Sequence, residues 1–295
     1  ETEPKARSST ISARISPGGT PNAKWNAPCA GVADMRPSTI SGVNRLPHEQ
    51  RSETYLRLVP PELLERFNLS QADLTHPGNA YLVLTAADGA SSTEMALYHQ
   101  PGFPDPVLYG HITDTLTGQV HVLLYVINDP ESPRFDVDRM PDGTPTQFGT
   151  SSRNIEAEFA AMEVGLAPGQ IRRGLRITSS AIESFEQFVD SLGHQLYYVE
   201  PLFYHNAIIF ERYGFAYQQG RKLMERIHAG FQPGGDLHAR LDGSNPFRRP
   251  EAANRIRLRS WALHDGILGE PFDKVTMYRV IGRSAGLDTC PGCDW

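Results

Sequence analysis

No stretch of about 18 consecutive apolar residues occurs in the sequence, so no membrane-spanning helix is expected. The first residues lack a charged-then-apolar pattern, so no secretory leader is expected either. Cysteine is scarce: only Cys29, Cys290 and Cys293 are present. An odd count this low does not build a disulfide scaffold, and a reducing cytoplasm is the expected compartment. Positive charge is in deficit too, with 28 Lys and Arg against 34 Asp and Glu for a net charge of −6. That balance argues against nucleic-acid binding, which would want a basic stripe. A serine nucleophile elbow, a Walker phosphate loop and a His-Glu-x-x-His helix are all absent, as are internal repeats.

What is present is enough for one large domain or two ordinary ones: 295 residues, of which 39% are hydrophobic. The first 50 residues differ from the rest. They hold six Pro, six Ser, four Thr and four Gly, and six Lys/Arg against four Asp/Glu. Such a segment buries too little apolar surface to fold alone. Residues 1–52 therefore read as an extended arm for a protein partner or for self-association. Ile11, Ile15, Trp25, Met35, Ile40 and Leu46 are its scattered anchors, and Trp25 is the expected hot spot. Residues 53–230 read as an α/β core. Residues 231–295 read as a C-terminal extension with late strands and a Cys-x-x-Cys tail.

Within the core, Leu56 to Leu69 suggests short helices, one started by Pro60-Pro61. Strands are expected over Tyr81–Thr85, Glu94–His99, Val107–Thr113 and Val120–Ile127, with a hairpin turn at Thr117-Gly118. Asp129–Gly149 reads as a long loop and Ile155–Val164 as an amphipathic helix. Arg255–Arg259 alternates like an exposed strand, and Lys274–Ile281 looks like the last one. The whole predicts a mixed, largely antiparallel sheet with flanking helices.

The most informative stretch runs from Gly165 to Phe215. A Gly- and Arg-rich turn leads into a helix whose apolar face recurs at Leu175, Ala181, Ile182, Phe185, Phe188, Val189 and Leu192. Gly193 stops it, Gln195–Val199 reads as a buried strand, and a second helix closes at Tyr213-Gly214-Phe215. The first N–H groups of a helix lack partners and carry partial positive charge. A glycine there lets a phosphate approach, and Arg172, Arg173 and Arg176 add charge. The loop is thus a candidate anion site, or else a surface turn with solvated arginines.

The order of loop, helix, strand and helix resembles the acyl-CoA-binding core of the GNAT N-acetyltransferases. In that family a Gln/Arg-x-x-Gly-x-Gly/Ala loop holds the CoA pyrophosphate, and an Asn-x-x-Ala…Tyr…Gly-Phe pattern follows. Asn206-Ala207 through Tyr213-Gly214-Phe215 is similar to the second signature. The resemblance implies acetyl transfer from acetyl-CoA to an amine. Gln170, Arg172, Arg173, Gly174 and Arg176 would hold the pyrophosphate, Asn206 would orient the pantetheine, and Tyr213 would be the general acid. Three departures stand out. Gln170 lies four residues before Gly174, not three. Arg176 occupies the second small-residue position, and a helix runs into Gly165 where the family has its fourth strand. These departures favour the other reading, a catalytically inactive subunit that assembles a larger complex through its arm.

Other residues carry two readings each. His264 beside Asp265 is a candidate general base or a structural loop histidine. His205 and Asn206 open a helix as ligand groups or as its cap. Tyr213 is an acid or a core anchor. Cys290 and Cys293 have zinc-knuckle spacing, which Cys29 and a histidine would complete; free or redox-active thiols are the alternative.

Overall fold

The computed structural model describes residues 36–76, 78–146 and 152–295. Arm residues Ile11, Ile15, Trp25 and Met35 lie outside the described residues. From Arg36 onward the chain is one compact unit.

Its centre is an open seven-stranded sheet: β1 (Leu82–Thr85), β2 (Ser92–Leu97), β3 (Leu108–Asp114), β4 (Val120–Ile127), β5 (Leu196–Val199), β6 (Ala216–Gln219) and β7 (Thr276–Val280). The spatial order is β1-β2-β3-β4-β5-β7-β6. All pairs are antiparallel except β4 with β5. The fold is therefore mixed α+β, as the sequence predicts. In β2, Thr93, Met95 and Leu97 are buried and alternate with more open positions, the two-residue period of a strand with one buried face. Strand β6 escapes sequence reading because Ala-Tyr-Gln-Gln is short and half polar.

The helices are α1 (Ile40–Val43), α2 (His48–Leu56), α3 (Pro61–Arg66), α4 (Gln71–Thr75), α5 (Ile155–Glu163), α6 (Thr178–Ser191), α7 (Tyr204–Arg212), α8 (Arg221–Gly230) and α9 (Ile256–His264). Helix α6 lays Ala181, Phe185, Phe188 and Val189 on the sheet. Phe185 meets Tyr197 of β5 at 5.3 Å and Tyr125 of β4 at 5.7 Å between ring centroids.

Four expectations are corrected. Ile40 and Val43 are fully buried in the body, and Leu46 packs against the same core. The Asp114 carboxylate accepts from the Ile40 and Ser41 N–H groups at 2.7 and 2.9 Å, tying α1 to the sheet. Residues 40–52 thus belong to the folded body, not to the arm. Segment 231–295 is no appendage, because its strand β7 inserts between β5 and β6. Arg255–Arg259 opens helix α9 rather than forming a strand. Ile256, Arg259, Ser260 and Leu263 are all buried, the spacing of a helix face, and the five-residue alternation was too short to tell the two periods apart. Finally, α6 begins at Thr178, later than Leu175 suggested, because Arg176 takes a left-handed φ of 62° that no helix accommodates.

Candidate functional site

Strands β4 and β5 share only two register pairs, His121 with Tyr198 and Val122 with Val199. One further bond follows, from the Glu200 N–H to the Val122 carbonyl at 3.1 Å. Pro201 then supplies no N–H, so the ladder stops while β4 runs on to Ile127. The two strands splay, and a cavity of about 310 Å³ opens between them. The sequence-based expectation that helix α5 displaces the groove strand is therefore corrected. Strand β4 itself forms one wall, and helix α5 follows β4 and precedes the Gly/Arg loop in sequence.

The loop closes one end of the cavity. Gly169 takes a φ of 79°, and a Cβ there would stand 2.5 Å from the Phe203 ring, which itself lines the cavity. Only glycine allows that approach. Gly174 lies against the Ile127 carbonyl of β4, which a Cβ would meet at 3.4 Å. The first residues of α6, Ile177 and Thr178, line the cavity, and no side chain caps this helix start.

The sequence-predicted ligands divide. Gln170, Arg172, Gly174, Arg176 and Asn206 all contribute to the lining. The charge of Arg172 is committed elsewhere: its Nε donates to Asp105 at 2.9 Å, both side chains being buried. Its guanidinium also binds the Ser132 and Pro130 carbonyls. Gln170 turns back to accept from the Ala167 N–H at 2.7 Å. Asn206 accepts from the Phe203 N–H at 3.2 Å and so caps α7 as well. Arg173 donates to the Val164 carbonyl outside the lining.

Tyr213 and His264 are not brought to the cavity. Tyr213 is the C-terminal cap of α7 and packs against the core, while Ile209 and Phe210 of the same helix face the cavity. His264 sits 3.0 Å from the buried Glu158 carboxylate, which Arg153 also binds. Arg153 bridges on to Asp265 at 3.1 Å. Burial by itself would raise the Glu158 pKa, but His264 and Arg153 outweigh it and hold the carboxyl below its usual range.

The rest of the lining holds groups that the sequence does not single out, together with His205, which it does. Tyr197 lines the cavity, and its hydroxyl is buried with no hydrogen-bond partner among the described residues. Burial pushes its pKa up, so it stays protonated. Arg257 binds the Gly165 carbonyl through one nitrogen at 2.8 Å, but its Nε is buried without a partner. Burial lowers the Arg257 pKa first, and the like charges of Arg176 and Arg173 lower it further. None of these three arginines pairs with a carboxylate among the described residues. Trp295 lies over Arg257 at 5.0 Å and completes that wall. Glu200 lines the mouth, 4.0 Å from His121. His205 is buried and meets Ser260 through Nδ1 at 2.9 Å; burial and Arg257 drive its pKa down to about 3, so the ring is neutral. Pro201 directly after the buried strand is a local signal in the sequence for where the β4–β5 ladder stops.

Cys290 and Cys293 are bonded to each other, with His228 beside them. Zinc would require that bond to be reduced first. Cys29, the third cysteine, lies outside the described residues. No helix among the described residues is long and apolar enough to cross a membrane. Comparisons with known protein families, with curated proteins and with solved structures find no match for this chain.

Proposed function

We propose that this chain transfers an acyl group from an acyl-CoA to an amine, on a core of the GNAT type. The observation that carries the reading is the parallel β4–β5 pair, which opens after two register positions beside Arg176 and Arg257, neither paired with a carboxylate among the described residues. From Leu123 to Ile127 the β5-facing edge of β4 has no strand partner among the described residues, so an extended ligand bearing amides can complete its hydrogen bonds there. Pantetheine is such a ligand. The pyrophosphate fits the uncapped start of α6, where unpartnered N–H groups and the charges of Arg176 and Arg257 favour an anion. Arg172 supports the loop from beneath through Asp105, and Asn206 shapes the cavity floor at the start of α7.

In this reading the amine nitrogen attacks the thioester carbonyl carbon and the carbon–sulfur bond breaks. Glu200 accepts the proton lost by the amine. The Tyr197 hydroxyl, kept protonated by burial, donates to the departing sulfur and takes the acid role that the sequence resemblance gave to Tyr213.

Calorimetry with acetyl-CoA tests the reading. One site per chain is expected, weakened at least tenfold by Arg257→Glu and lost in Gly174→Trp. The absence of any heat from the wild-type chain would overturn it. Light scattering addresses the rival reading, an inactive assembly subunit. That reading gains if acetyl-CoA gives no heat and deletion of residues 2–35 lowers the assembly mass.

A further inference from the structure

On the far side of α7 from the cavity chemistry lies a second cluster. Arg259 is completely buried, yet no carboxylate pairs with it among the described residues. Its Nε and one Nη bind the Ala253 carbonyl, and its face stacks on Phe231 at 4.9 Å. Its remaining Nη donates to the Cys290 sulfur at 2.9 Å and approaches His228 Nδ1 at 3.3 Å. The Tyr204 hydroxyl donates to the same sulfur at 3.2 Å. A buried cation without a counter-anion is costly, and a structure keeps one only where something compensates it. While the two cysteines are bonded, that sulfur is neutral, and Arg259 has the Ala253 carbonyl and the Phe231 ring but no counter-anion among the described residues.

The two sulfurs also differ in access. Cys290 is buried, whereas Cys293 is partly exposed and lies 3.9 Å from His228 Nδ1. An incoming thiol therefore reaches Cys293 first.

We propose that Cys290–Cys293 is a redox-active centre that exchanges with external thiols, in which Arg259 and Tyr204 hold the Cys290 sulfur as the leaving thiolate. In the forward direction an external thiolate attacks the Cys293 sulfur. The Cys290–Cys293 bond breaks, and its electron pair goes to the Cys290 sulfur, beside Arg259. A second external thiol then attacks the mixed disulfide at the sulfur of the first. This releases an oxidised small-molecule disulfide and the Cys293 thiol. Two external thiols are oxidised, the protein disulfide gains two electrons, and the proton not taken up by Cys290 goes to water. A stabilised leaving thiolate speeds the first step and favours the reduced pair.

The groups around the Cys290 sulfur include opposing charges. Asp288 accepts the Cys290 N–H at 3.0 Å, Glu211 accepts the Thr289 N–H at 2.9 Å, and Arg212 donates to the Cys293 carbonyl. Both carboxylates are engaged by these backbone and hydroxyl groups, and among the described residues only Arg259 and Tyr204 donate to the sulfur itself.

The test uses the full chain in a Cys29→Ser background, so that only this pair reports. It is equilibrated in buffers of reduced and oxidised glutathione, trapped with a maleimide and weighed. Reversible interconversion of two folded states is expected. At a fixed buffer ratio, Arg259→Met is expected to shift the pair at least tenfold toward the disulfide, and Arg259→Lys by less. A Cys293→Ser variant isolates Cys290, whose thiolate absorbance near 240 nm is expected to persist at least one pH unit below the ordinary cysteine value of about 8.5. If Arg259→Met does not fold, this single-thiol titration and the lysine variant decide the matter. A pair that cannot be reduced without denaturant would overturn the proposal. So would a Cys290 thiol titrating at or above the ordinary value, or reduced protein that keeps one zinc per chain against EDTA.

Discussion

Arg172 and Asp105 stand 67 positions apart in sequence and 2.9 Å apart in space, and both are buried. The pair anchors the cavity loop to the segment before β3, and Arg134 reaches the same carboxylate at 3.2 Å. Removing Asp105 leaves Arg172 buried without a carboxylate, while Arg134 keeps Asp136 and Asp138. Asp105→Ala is expected to cost about 3–5 kcal/mol, the range for breaking one side of a buried ion pair. Urea unfolding measures it. The double variant with Arg172→Met should lose less than the sum of the two single losses, because the stranded charge goes with its partner.

Acid should destabilise the fold in two separable ranges. Glu158 has a folded pKa below its unfolded value, so its contribution is complete above about pH 4–5 and is lost as pH falls through the folded value. Neutral His205 also has a depressed pKa, near 3 against an unfolded value of about 6.5. Its contribution is complete above the unfolded value. It declines below, by up to about 1.4 kcal/mol per pH unit, because only the unfolded chain takes up the proton. Denaturant midpoints measured from pH 7 to 3 check both. Glu158→Gln should flatten only the most acid part, and His205→Asn should flatten the slope that begins near pH 6.

Tyr197→Phe should separate stability from binding. The hydroxyl is buried without a partner, and an unsatisfied buried group costs about 1–3 kcal/mol. Its removal is expected to leave the thermal midpoint unchanged or raise it. The acyl-transfer rate is expected to fall at least tenfold if the hydroxyl is the acid of the proposed reaction. A lower midpoint in differential scanning calorimetry would show that the hydroxyl has a structural partner after all.

Gly169→Ala should harm both properties. The left-handed φ of 79° costs a residue with a Cβ about 1–2 kcal/mol, and the new methyl pushes on Phe203. A lower Tm together with weaker acetyl-CoA binding is expected, because Phe203 is part of the cavity wall.

Much of the fold was legible because its signals are local. Val120–Ile127, the turn at Thr117-Gly118 and the helix over Phe185 and Phe188 declare themselves within a few residues. What stayed hidden depends on distant pairing. Strand β6 becomes a strand only because β7, some 60 positions on, lies beside it. The Gly/Arg loop was found, but the sequence could not say that Arg172 is spent on Asp105 while Arg257, from another helix, joins Arg176. His264 and Tyr213 carried plausible chemistry by type, and their surroundings assigned them to an ion pair and to a helix end.

The two-pair contact between β4 and β5 also divides the chain into folding units. Strands β1 to β4 form consecutive antiparallel pairs and are expected to nucleate first, while β5, β7 and β6 close over much longer loops. Amide exchange should reveal the seam as a boundary, with β5 and β7 opening at lower free energy than β2 and β3. A ligand bonded to both strands couples the two units, so its binding would appear not only as a higher melting point but as a sharper, more cooperative melt.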